Sequence, residues 1–184
     1  MKTWHWFAIG GGFLLTATLI NRKRVMSNLA QVKLGKYFTL AEFVVTATGL
    51  DNTPTPDAIK RLESLVINCL DPLREKLGKP VHINSGYRSP LVNSNVVGSS
   101  TTSQHMVGEA ADIHVDGMTN DDLIALIRQM KLPYDQLIDE WRGTSRWVHI
   151  SHKYSGNQRT QWLTRRDPGP GRPNEYETVK YGYA

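Results

Sequence analysis

The sequence predicts one mixed domain of the α+β class, and three observations carry that prediction. Stretches from Asp57 and from Asn120 repeat apolar residues at helical spacing, while four short runs, VHIN, AADIHV, YDQLID and RWVHIS, have the composition and alternation of strands. The length of 184 residues suits one compact domain of about 100–200 residues with some non-globular sequence, and excludes two full-sized domains.

Charge narrows the partners. The formal net charge is +5, but residues 1–36 hold six of the 22 basic side chains and none of the 17 acidic ones, leaving residues 37–184 near neutral. A nucleic-acid partner is therefore not expected of the main domain. With Cys69 as the only cysteine, an intrachain disulfide and a cysteine-only metal site are both excluded.

At the amino end, Trp4 to Ile20 forms an uncharged apolar run followed at once by Arg22, Lys23 and Arg24. A helix of that length spans about 25 Å, slightly short of the roughly 30 Å of bilayer hydrocarbon. A cleaved signal peptide lacks a basic region ahead of the run, and a helix packed on protein is a second alternative. The preferred expectation is a membrane-associated segment at residues 1–24, single-pass or interfacial, with the basic cluster among head groups. Residues 25–36 read as a basic linker, residues 37–160 as the folded domain, and residues 161–184, rich in glycine and proline, as an extended tail.

The folded part opens at YFTLAEF, where Thr39 and Glu42 predict a capping box and Phe38 with Phe43 a hydrophobic staple. From Asp57 a helical stripe runs through Leu62, Leu65 and Cys69, which predicts a buried, inert thiol. Asp71 and Pro72 interrupt the stripe, as a kink or as a fresh N-terminus, and Gly78 ends it. VHIN then leads into SGYRSP, a glycine turn carrying Arg88, and residues 89–104 read as a long loop. Beyond AADIHV, Asn120 is the expected cap of an amphipathic helix, and YDQLID and RWVHIS follow as two strands joined at residues 142–144.

Six histidines are present, and most are bland in isolation: His82 reads as a polar strand residue, His152 as a surface residue and His114 as rim or packing. The informative arrangement is His105 leading into a glycine turn, Asp112 on the strand after it, and His149 on RWVHIS. Alternation places Asp112 on one strand face, and His149 on the face opposite Val148 and Ile150. If the strands are neighbours, two imidazoles and a carboxylate converge, which fills three corners of a catalytic zinc site. Spacing alone leaves ordinary hydrogen-bonded histidines as the competing reading.

Taken together, SGYRSP, SQHMVGEAADIHV, YDQLIDEW and RWVHIS resemble the zinc D-alanyl-D-alanine carboxypeptidase and endopeptidase family, peptidase M15, and its small phage-type branch in particular. The resemblance covers roughly Phe38 to Tyr154. It implies helices packed on a small antiparallel sheet with the zinc site on the sheet face, and a metallopeptidase that cuts peptide bonds in peptidoglycan stems for wall remodelling or lysis. It further implies one Zn2+ per chain on His105, Asp112 and His149, with Arg88 facing a substrate carboxylate or the scissile carbonyl. Ser103 and Trp147 are the candidate substrate contacts. Many members place a glutamate base three residues before the last histidine ligand, where this chain has Arg146. Glu140 is the expected base instead, with Glu109 and Asp139 as alternatives. The competing functional class is a catalytically weak, membrane-tethered wall-binding component of a phage virion or envelope complex.

Overall fold

The structure, a computed structural model, describes residues 28–142, 144–166 and 175–177. Helix α1 (Leu40–Val44) starts where the Glu42 carboxylate accepts from the Thr39 N–H (2.8 Å) and hydroxyl (3.0 Å), and Phe38 meets Phe43 edge to face at 6.0 Å. Helix α2 (Pro56–Leu65) opens with Pro56 in its first turn and Thr55 accepting from the Ala58 N–H. The helix does not break at Pro72. It passes through one π-helical stretch (Val66–Leu70) directly into α3 (Asp71–Leu77). A proline ring collides with the carbonyl four residues back in a regular helix, and the wider turn, with the Asp71 N–H reaching the Val66 carbonyl, relieves that crowding. The Asp71 carboxylate accepts from the Lys36 and Tyr37 N–H groups, tying the entry to α1 against α3.

Strand β1 (His82–Ser85) delivers the chain to the glycine turn. The predicted long loop contains a short helix, α4 (Pro90–Ser94), capped by Ser89. A 3-10 turn (Gln104–Val107) then precedes β2 (Ala110–His114). Helix α5 (Asn120–Gln129) is capped by Thr119 rather than Asn120, the Thr119 hydroxyl accepting from the Asp122 N–H. Asn120 is thereby freed to donate to Asp139 Oδ1 (2.7 Å) and to the Trp147 carbonyl (2.8 Å), pinning α5 to the sheet.

The remaining strands are β3 (Gln136–Arg142), β4 (Ser145–Ser151), β5 (Gln161–Arg166) and β6 (Glu175–Glu177), in sheet order β1-β2-β4-β3-β5-β6. The sheet is mixed, not purely antiparallel as expected: β5 pairs parallel with β3. Strand β4 ends beside the start of β3, the connection 152–160 stays at that end, and β5 therefore leaves in the direction of β3. Residues 161–166, read from sequence as the start of an extended tail, are thus a sheet strand with Leu163 buried. One sheet face supplies Ala111, Ile113, Leu137, Val148 and Ile150 to a core shared with Leu62, Leu65, Cys69, Leu73 and Ile127 of the helices. The opposite face carries the polar residues described below.

The membrane expectation is corrected here. No helix among the described residues is long and apolar enough to cross a membrane. The longest helical run, residues 56–77, is amphipathic and carries Lys60, Arg61, Glu63, Arg74 and Glu75. The apolar stretch at residues 4–20 and the linker before residue 28 lie outside the described residues. Neither a membrane partner nor a membrane-associated location, with the tethered virion or envelope assembly that went with it, enters the functional reading.

Candidate metal centre

Asp112 of β2 and His149 of β4 are direct partners in an antiparallel register, so their side chains rise on one face of the sheet. His105 arrives from the 3-10 turn, whose geometry two glycines permit. Gly108 has φ +82°, and a side chain there would stand 2.4 Å from the Ala58 carbonyl oxygen. Gly86 packs so closely that a Cβ would lie 2.6 Å from the Phe43 carbonyl oxygen. That close approach aims the Gly86 carbonyl at His105 Nδ1, 2.6 Å away. A carbonyl only accepts, so Nδ1 carries the proton and Nε2 presents its lone pair to the site.

His105 Nε2 and Asp112 Oδ1 are 3.2 Å apart, His149 Nδ1 and Asp112 Oδ1 3.0 Å, and the two ring nitrogens 3.2 Å. In a tetrahedral zinc site with bonds of about 2.0–2.1 Å, neighbouring ligand atoms stand about 3.3 Å apart. Three donors of the right type at the right separation, all buried, therefore fit one metal ion, and all three border the cleft. Burial pushes the His105 imidazole below its ordinary range, favouring the neutral form that ligates. Burial opposes ionisation of Asp112, but His105 and His149 beside it outweigh that and hold the carboxyl well below its usual range.

Arg88 takes the other oxygen of the same carboxylate: Nη2 donates to Asp112 Oδ2 at 2.5 Å, and Nε donates to Ser85 Oγ at 2.9 Å. Oδ2 is thereby committed to the guanidinium, and Oδ1 is the oxygen that faces the two imidazoles. Arg88 also lines the cleft of about 430 Å³ in front of the cluster, together with Ser103, Gln104, Glu140 and Arg159. Ser103 is additionally the cap of the histidine turn, its hydroxyl accepting from the His105 N–H. Trp147 lines a neighbouring cavity with His114 and Asn84 instead, and its indole N–H finds no hydrogen-bond partner among the described residues.

The register sorts the carboxylates. Ile138 faces His149 and Glu140 faces Trp147, so Glu140 lies on the face of His149, two residues beyond the pair that His149 makes and about 7 Å along the strand. Asp139 points the other way, to Asn120, to Arg146 Nε (2.9 Å) and to Arg146 Nη2. Glu109 pairs with Arg61 and accepts from the Tyr154 N–H. Arg146, an odd number of residues from His149, shares the face of Asp139 and is turned away from the metal cluster.

Sequence reasoning missed a second polar group at the cleft. Asp135 is fully buried and accepts from the Arg159 N–H (2.8 Å), Arg159 Nε (2.9 Å) and Gln104 Nε2 (3.1 Å), with Lys153 Nζ at 3.2 Å. Burial opposes its charge, yet these donors hold its pKa at about 2. His152, expected on the surface, is buried and donates from Nδ1 to the Pro133 carbonyl.

A family model described as Peptidase M15 matches residues 36–151. No curated protein matches the chain. The match spans more than half of the sequence and encloses His105, Asp112 and His149, whose buried arrangement is consistent with a single zinc site. The chain belongs to peptidase family M15, the zinc metallopeptidases typified by D-Ala-D-Ala carboxypeptidases and endopeptidases acting on peptidoglycan.

Proposed function

We propose that this domain hydrolyses peptidoglycan stem peptides with one Zn2+ per chain on His105, Asp112 and His149, and with Glu140 as the general base. Zinc held there supplies Lewis acidity to the scissile carbonyl and to the attacking water. Glu140 accepts the proton of that water and returns it to the leaving amine, at a site walled from bulk solvent on the sheet side. Arg88 keeps the Asp112 carboxylate oriented, and its cleft-facing side offers a donor to a substrate oxygen. The observation that carries the assignment is the location of Glu140: it lines the cleft on the face of His149, whereas Asp139 rises on the opposite face of β3 and Glu109 is not among the cleft-lining residues. Ser103 lines the same cleft and is a proposed substrate contact.

The test is Glu140→Gln, measured by zinc content and by digestion of purified peptidoglycan with mass analysis of the fragments. Zinc stays at one tightly held ion per chain and hydrolysis falls by about 100-fold or more. Hydrolysis within a few-fold of the parent rejects Glu140 as the base.

A further inference from the structure

A second group of metal-ligating side chains stands on the same sheet face, at the end of β1 and β2 away from the histidine turn. His82 and His114 are direct cross-strand partners, their rings stacked at 4.8 Å with 18° between planes. Asp116 follows β2 and brings its carboxylate to both: Oδ2 lies 3.2 Å from His82 Nε2 and Oδ1 3.6 Å from His114 Nε2. One potential ligand atom from each of the three lies within 4.8 Å of the others.

The tautomer of one ring is set. His114 Nδ1 is 2.6 Å from Asn84 Oδ1, an oxygen that only accepts, so the proton sits on Nδ1 and Nε2 keeps its lone pair toward Asp116. This repeats, at the surface, the arrangement by which the Gly86 carbonyl prepares His105. Lys79, the nearby cation, places its ammonium on the Asp116 main-chain carbonyl, leaving the carboxylate to the imidazoles.

We propose that His82, His114 and Asp116 form a second, accessory site for a borderline divalent cation, Zn2+ first. Two imidazoles and a carboxylate are a donor set that suits zinc, copper or nickel and disfavours calcium or magnesium, which prefer oxygen. Parallel rings aim their lone pairs along parallel lines, so one ring must turn about its Cβ–Cγ bond to share an ion. That torsion is soft. The His82, His114 and Asp116 side chains are 42%, 43% and 81% exposed, and the cavity of about 630 Å³ lined by His114 and Asp116 gives the His114 ring room and admits water. The same exposure makes this site weaker than the buried one. The inference stands independently of the identity of the catalytic base.

The test is a zinc titration of the metal-stripped full chain against a competing chromophoric chelator, with His82→Gln and Asp116→Asn in parallel. The parent takes up two ions, the second at least about tenfold more weakly. His82→Gln takes up one, and Asp116→Asn loses most of the weaker phase. Both variants keep the tight ion and the parent's rate on peptidoglycan. Nuclear magnetic resonance of the imidazole nitrogens locates the weaker ion, which shifts His114 Nε2. A single zinc in the parent at several-fold excess, a weaker phase unchanged in His82→Gln, or an unmoved His114 signal overturns the proposal.

Discussion

Replacing Asp135 with asparagine tests the polar group beside the metal cleft. In the folded chain this carboxylate is held at about 2, against 3.8 for the free group, by Arg159, Gln104 and Lys153. A shift of that size corresponds to about 2 kcal/mol of preference for the charged form in the native state. Arg159 and Lys153 are 44% and 32% exposed, so solvent screens part of the attraction and about 1–2 kcal/mol remains. Asparagine retains one acceptor but turns an amide donor toward the Arg159 and Gln104 donors, which removes this contribution.

The sign of the pH dependence follows from the direction of the shift. The folded pKa lies below the unfolded one, so the stabilisation is fully present above about pH 5 and is lost as pH falls through 4 toward 2. Urea unfolding followed by tryptophan fluorescence at stepped pH should show parent and Asp135→Asn separated by about 1–2 kcal/mol at neutral pH, or about 2–8 °C in melting temperature. The separation closes as the solution is acidified. Metal release affects both proteins and cancels in the difference. A gap that stays constant from neutral to acid pH, or that is absent at neutral pH, refutes the electrostatic argument.

Three further outcomes are expected. Arg88→Lys cannot reach both Ser85 and Asp112 with one planar fork, so zinc affinity falls by about 10–100-fold with little change in melting temperature, and unchanged affinity by competitive chelation rejects the positioning role. Gly108→Ala combines a φ of +82° with a Cβ 2.4 Å from the Ala58 carbonyl oxygen and costs about 1–3 kcal/mol or more, read as a lower urea midpoint; an unchanged midpoint contradicts the close packing. Cys69 is buried, which pushes its thiol up to about 12, so a thiol reagent at mildly alkaline pH labels the chain only after urea is added, and rapid labelling of the native protein counts against that burial.

Much of the metal cluster was legible because strand alternation is a local rule. Once AADIHV and RWVHIS are strands, the parity of Asp112 and His149 follows, and only their adjacency awaits the structure. The same parity puts Asp139 opposite Glu140. What was not legible depends on partners distant in the chain. Asp135 meets Arg159 and Gln104 across 24 and 31 residues, and no periodicity marks such a meeting. Cap choice failed at Thr119 because both Thr119 and Asn120 suit the position, and the demand of Asp139 and Trp147 for the Asn120 amide decided between them. β5 escaped notice because a short strand beside a glycine-proline run reads as tail until β3 offers it an edge.

That added strand bears on where the chain can be cut. The family match ends at residue 151, yet a protein stopped there would leave β3, the strand that carries Glu140, as the rim of the sheet. The N–H and C=O groups along the β3 edge that now pairs with β5 would then face solvent, while the other edge stays paired with β4, and such a rim recruits other chains into continuous ribbons. Residues 161–166 therefore act as a selvedge that keeps β3 from fraying or being copied onto a neighbour. A shortened version that retains His105, Asp112 and His149 would be lost first to aggregation, and only secondarily to any defect in its chemistry.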